Sequence, residues 1–238
     1  DFLMIRFLRV RPPLRPAALL LAATCAFLAP AAQAAETAVT PLQVGALRIG
    51  EGRPKTIVPI TASQADLALQ QAAAIAASPA TDLAEWRIDY LDSATDGAAL
   101  VALGKRIEQA LGGKPMIVTF RTKAEGGARA ISDADYGALN QALLQGGFAQ
   151  LLDVEMFRDR QVVAGLVKAA HAAGVKVVMS SHDFRATPPR EEIVSRLLQQ
   201  EAMGADVLKV AVMPRDAGDV LTLLDATWQV RQRSDRPL

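Results

Sequence analysis

The chain has one cysteine, Cys25, and only two histidines. A lone thiol excludes a disulfide framework and any cysteine-based zinc site. Charge of one sign is missing too: 26 Lys and Arg stand against 25 Asp and Glu, so no basic field points to nucleic acid. Aromatics are sparse at 5%, yet 51% of residues are hydrophobic, which excludes a disordered or collagen-like chain. No dinucleotide fingerprint G-x-G-x-x-G follows the first regular strand, where Thr61-Ala62-Ser63 stands instead. The 238 residues suit a single domain of the 200–250-residue barrel type.

What is present begins with a leader pattern. Arg6, Arg9, Arg11 and Arg15 precede an apolar run, Ala17–Ala29, which Ala32-Gln33-Ala34 closes. The run is shorter than the roughly 20 residues that cross a bilayer. Basic start, apolar core and A-x-A end read as a secretory signal peptide over residues 1–34, cleaved before Ala35. Cleavage removes four Arg and one Asp, taking the net charge from +1 to −2 and leaving a cysteine-free chain without a membrane anchor. A periplasmic location follows as an expectation.

From residue 35 the patterning predicts a hairpin around Gly45, with a second turn at Gly50-Glu51-Gly52. Strands are then expected at Thr56–Thr61, Ala84–Leu91, Met116–Arg121, Leu151–Phe157, Val175–Phe184 and Val207–Pro214. Helices alternate with them at Ser63–Ala77, Gly97–Leu111, Asp133–Leu144, Arg160–Ala173, Pro189–Met203 and Asp216–Arg231. Such β/α alternation means parallel strands with right-handed crossovers. An open doubly wound sheet and a (β/α)₈ barrel both satisfy it, and the absent fingerprint weighs against the first.

Alternate positions of a strand share a face. Glu85, Arg87 and Asp89 then share one face, as do Thr119 with Arg121, Asp153 with Glu155, and Ser180 with His182; Lys209 stands in the run VLKVAVMP. One such charge is readily a structural ion pair, and an isolated His182 is more simply a core histidine. Charged groups on one face of five strands point instead to a lined cavity. His171 lies in a helix of ordinary composition and reads as a surface or helix-end residue. Lys209 is the hardest to explain as structure, because inward strand lysines lose hydration. Desolvation and nearby cations such as Arg121 are expected to lower its pKa and make it an imine-forming nucleophile. Glu125-Gly126-Gly127 reads as a turn after the third strand, and Asp153 and Glu155 as supports for Lys209 and Arg121.

Five motifs follow in order: E-W-R-I-D at 85–89, T-F-R-T-K-A-E-G-G at 119–127, D-V-E-M-F at 153–157, S-S-H-D-F at 180–184 and A-D-V-L-K-V-A-V-M-P at 205–214. Together with VGALRIGEGRPKTIVPI they resemble type I 3-dehydroquinate dehydratase over Leu42–Pro214. The resemblance implies a (β/α)₈ barrel that dehydrates 3-dehydroquinate by syn elimination, through an imine and without metal or cofactor. It implies Lys209 as the imine-forming residue, His182 as general base and then acid, and Glu125 as the group that orients His182. Glu85, Arg87 and Arg121 would bind substrate hydroxyls. By resemblance a homodimer is left open as the assembly. The expected strands number six where a closed barrel needs eight, so a barrel short of two β/α units, inactive or unstable by itself, is the expectation for this chain. A class I aldolase or transaldolase and a periplasmic hydroxy-acid-binding protein are the competing readings. A periplasmic catabolic role in quinate or shikimate use follows from the leader.

Overall fold

The computed structural model describes residues 38–238, so the signal-peptide reading, Cys25 and the Ala35 cleavage point lie outside the described residues. A short antiparallel hairpin comes first, β1 (Leu42–Val44) and β2 (Leu47–Ile49), turning at Gly45 with φ +57°. Six strands and six helices then alternate: β3 (Ile57–Ile60), α1 (Ala65–Ala77), β4 (Leu83–Arg87), α2 (Gly97–Ala110), β5 (Met116–Thr119) and α3 (Asp133–Gln145). They continue as β6 (Leu151–Glu155), α4 (Arg160–Ala172), β7 (Lys176–Asp183), α5 (Arg190–Ala202), β8 (Val207–Val212) and α6 (Ala217–Arg231). The sheet is parallel throughout in the order β3-β4-β5-β6-β7-β8.

The sheet is curled. Strands β4 and β8 are four places apart, which in a flat sheet is roughly 19 Å at about 4.8 Å per strand. Yet Lys209 Nζ on β8 lies 3.3 Å from Glu85 Oε1 on β4. Only a sheet bent into part of a barrel brings those side chains together, as expected for the (β/α)₈ class.

Inward side chains form layers. The lowest is apolar, with Leu83, Ile117, Leu151 and Val178 packed against Val44, Leu42, Leu47 and Ile49 of the hairpin, which closes the barrel floor. The next layers are polar: Glu85, Thr119, Asp153, Ser180 and Lys209, then Arg87, Arg121, Glu155 and His182. Outward positions meet the helices in the main core, where Trp86 packs edge-on to Phe148 and Phe120 edge-on to Tyr136.

Four helix starts are fixed by side-chain caps from Asp96, Ser132, Asp159 and Asp216. For α3 the cap is Ser132, one residue before the expected Asp133 start signal. All six expected strands overrun the observed ends, and the second and third do so at site residues. The second stops at Arg87, and Ile88–Tyr90 form a 3₁₀ turn instead. The third stops at Thr119, so Arg121 lies just past the strand. Among the described residues, no helix is long and apolar enough to cross a membrane.

Candidate active site

The polar layers converge on Arg121, which follows β5 and is 3% exposed. Its guanidinium donates to Asp153 at 2.8 Å, to Glu155 at 3.1 Å and to Ser180 Oγ at 2.9 Å, and stands 3.6 Å from Glu125. Burial alone would lower the pKa of Arg121, but Asp153 and Glu155 outweigh it and raise it above the ordinary range. Burial likewise opposes ionisation of Asp153, yet Arg121, Lys209 and Ser180 bring its pKa down to about 2. Glu155 goes the other way, raised by burial. It also accepts from the backbone N–H and the hydroxyl of Thr122 at 2.8 Å each, pinning the loop after β5.

Lys209 sits on β8 with Nζ 3.3 Å from Glu85 and 3.4 Å from Asp153. Asp153 supports the lysine as expected, but Glu85 stands where a cation was expected. Arg121 reaches the ammonium only by sharing Asp153 Oδ2. The lysine side chain is 33% exposed, so the full desolvation expected of an inward lysine is also absent. Glu85 is steadied by Thr119 Oγ1, which donates to it at 2.9 Å.

His182, near the C-terminal end of β7, forms a second centre. Its Nδ1 lies 2.8 Å from Glu125 Oε2, and both side chains are 9% exposed. Burial, then the charge of Arg121, pushes the imidazole down to about 4, so it is neutral near pH 7. Burial pushes Glu125 up to about 7, against the pull of Arg121. With Nδ1–H on Glu125, Nε2 is the nitrogen left to take a proton. Phe184 stacks parallel to the ring at 6.2 Å.

The E-G-G sequence builds this centre. Lys123–Glu125 form a 3₁₀ turn that ends on Gly126 at φ +81°. A Cβ on Gly126 would meet Phe184 at 2.2 Å, and one on Gly127 would meet the Arg121 carbonyl at 1.8 Å. Only glycine lets the loop close over the ring face.

All six expected site residues line the same inner surface, but not one cavity. Lys209 and Glu85 line a cavity of about 480 Å³ that runs down to Leu83, Ile117 and the Gly50–Lys55 loop. Glu125 and His182 line a depression of about 420 Å³ with Phe157, Phe184 and Arg196. Lys209 pairs with Ser180 across the ladder, and His182 is two residues further on, so their Cα atoms are about 8 Å apart. That leaves room for a small ring between them. Arg87 is held by Asp89 through two 2.8 Å bonds. Fully buried Asp89 also accepts from Arg121 N and Ala128 N. Sequence reasoning placed Asp89 on the strand face and gave it no task. His171 ends α4 and pairs with Asp206 at 2.9 Å, a helix-end role as expected.

A barrel lysine between carboxylates, with a neutral imidazole on the neighbouring strand oriented by a glutamate from the turn after β5, defines an enzyme equipped for amine and proton-transfer chemistry. Residues 56–238 match the family described as Type I 3-dehydroquinase, and the chain belongs to that family. It is 50% identical over 192 residues to the catabolic 3-dehydroquinate dehydratase of Acinetobacter baylyi, covering 81% of this chain and 71% of that protein. The 3-dehydroquinate dehydratase of Syntrophotalea carbinolica is 47% identical over 189 residues, covering 79% and 74%. Among solved structures, the type I enzyme of Clostridium difficile superposes with TM-score 0.81 at 37% identity, over 84% of this chain and 79% of that one. The enzyme of Enterococcus faecalis superposes with TM-score 0.78 at 44% identity, over 80% and 79%.

Proposed function

We propose that this chain dehydrates 3-dehydroquinate to 3-dehydroshikimate by syn elimination through an imine on Lys209. The amine adds to the C3 ketone and water leaves, giving a cationic imine that draws electrons from C2. Asp153 and Glu85 flank Nζ and hold it toward the space where the ketone would sit. His182 Nε2 takes the C2 proton, and the electron pair moves toward the imine. The C1 hydroxyl then leaves with the proton that His182 returns. Hydrolysis of the imine frees product and amine, so the net change is loss of one water. Glu125 keeps Nδ1 protonated and stabilises the imidazolium as it forms. Glu85 and Arg87 face the substrate hydroxyls; Arg121, already spoken for by Asp153, Glu155 and Ser180, contributes mainly its charge.

The observation that carries this reading is the pairing of a strand lysine with a Glu-oriented neutral histidine, in a member of this family. An aldolase reading finds no use for the His182–Glu125 pair, and a binding protein needs no lysine in the layer. Turnover is read as the ultraviolet absorbance of the conjugated enone product. His182→Ala is expected to lower it by roughly 10²–10⁴-fold; wild-type turnover in that variant would reject the assignment.

We further propose that residues 1–34 are a signal peptide and that the enzyme works in the periplasm in quinate or shikimate catabolism, taking 3-dehydroquinate from a membrane-bound quinate dehydrogenase. The name of the Acinetobacter baylyi relative supports the catabolic side. A homodimer rests on resemblance only, and sedimentation of the purified chain reads it out.

A further inference from the structure

One fully buried polar side chain outside the barrel interior touches the reactive residue. Gln200 lies in the last turn of α5, and its amide faces the backbone of Lys209. Nε2 donates to the Lys209 carbonyl at 2.9 Å, and Oε1 accepts from the Lys209 N–H at 2.9 Å. A third neighbour, Met156 Sδ, lies 3.5 Å from Nε2. Gln200 is itself tied to the chain entering β8, since its carbonyl accepts from Ala205 N at 3.1 Å. One planar amide therefore holds both peptide groups of Lys209 from outside the sheet, while Glu85 and Asp153 hold Nζ from within.

The residue type suits this work. Gln carries a donor and an acceptor side by side on one flat amide, and Asn is a methylene shorter. A carboxylate in its place would face the Lys209 carbonyl with no proton to donate. Resting on the imine reading above, we infer that Gln200 is a positioning residue for Lys209: it fixes the Cα from which the four-carbon side chain reaches the substrate ketone. It touches no substrate. Its effect is on the approach of Nζ, and displacements of about an ångström at a reacting group are enough to slow chemistry by about 100-fold.

Gln200→Met keeps side-chain length and removes both bonds. Leu197→Ala, also fully buried in α5, is the control that loosens the helix but keeps the Gln200 amide that bonds Lys209. Both variants of the full chain are checked for folding by circular dichroism, and borohydride-trapped adduct is then followed in time with 3-dehydroquinate. Gln200→Met is expected to trap roughly 10- to 100-fold more slowly, with kcat falling in step and KM changing by less than about twofold. Leu197→Ala is expected to trap at the wild-type rate. If Gln200→Met does not fold, Gln200→Asn is read in the same way. Trapping by the Gln200 variant at the rate of Leu197→Ala overturns the inference alone. A wild-type chain that turns over without any adduct overturns the imine reading and this inference with it.

Discussion

Replacing Glu125 by Gln removes a carboxylate from the pair it forms with His182 and leaves a side chain of the same size. In the native site burial places the two groups at about 7 for Glu125 and about 4 for His182. Groups this close titrate as a pair. Above about 7 the pair is carboxylate and neutral imidazole, with Nε2 able to accept a proton; below it the pair holds one more proton and the base is blocked. kcat/KM is therefore expected to rise with pH through about 7 in the wild type. In Glu125→Gln the upper group is gone, and the acidic limb moves down toward about 4, where His182 alone titrates. The plateau rate also falls, by roughly 10- to 100-fold, because no carboxylate stabilises the imidazolium or fixes its tautomer. Stability is a separate matter with opposed signs. The raised value of Glu125 contributes stability that is lost as pH rises from 4.5 through about 7. The depressed value of His182 contributes stability lost as pH falls from 6.5 through about 4, so across the overlap the two largely cancel. Initial rates across pH 4–9 at sub-saturating substrate decide the matter. An acidic limb that stays near 7 in Glu125→Gln would refute the pairing argument.

Arg121→Met strips the cation from buried Asp153 and Glu155 and is expected to destabilise the fold by roughly 3–5 kcal/mol in urea unfolding; a midpoint close to wild type would contradict the network. Gly126→Ala places a methyl 2.2 Å from Phe184 at a left-handed φ, so the phenyl must leave the His182 face and kcat should fall while the fold survives. Gly127→Ala sets its Cβ 1.8 Å from the Arg121 carbonyl and should prevent the loop from closing, read as loss of both soluble yield and activity. In a Gram-negative host the full chain should appear in the periplasmic fraction with Ala35 as its first residue, and unprocessed cytosolic protein would argue for a biosynthetic role instead.

The layered site was legible in the sequence because a period of two survives in the strands. Glu85, Asp153 and Lys209 fall at inward positions by counting alone, and six β/α alternations leave few topologies. Strand ends were not legible: apolar Ile88 and polar Asp89 continue the alternation of β4, although the backbone has already turned into a 3₁₀ helix there. Asp153 is the expected support for Lys209, but the expected cation beside the lysine is not there and Glu85 is, for a related reason. Its carboxylate neighbours come from β4 and β6, and only curling of the sheet brings β4 within reach. Asp89 and Gln200 carry no periodic signal of their function, since each acts by holding backbone N–H or C=O groups that a sequence pattern does not display.

The proposed chemistry turns on a covalent bond at one atom, Lys209 Nζ. Incubation with 3-dehydroquinate and sodium borohydride, followed by proteolysis and mass spectrometry, reads it directly. A reduced substrate adduct is expected on the peptide containing Lys209, and none in Lys209→Ala. An adduct on another lysine, or undiminished labelling of Lys209→Ala, would contradict that chemistry.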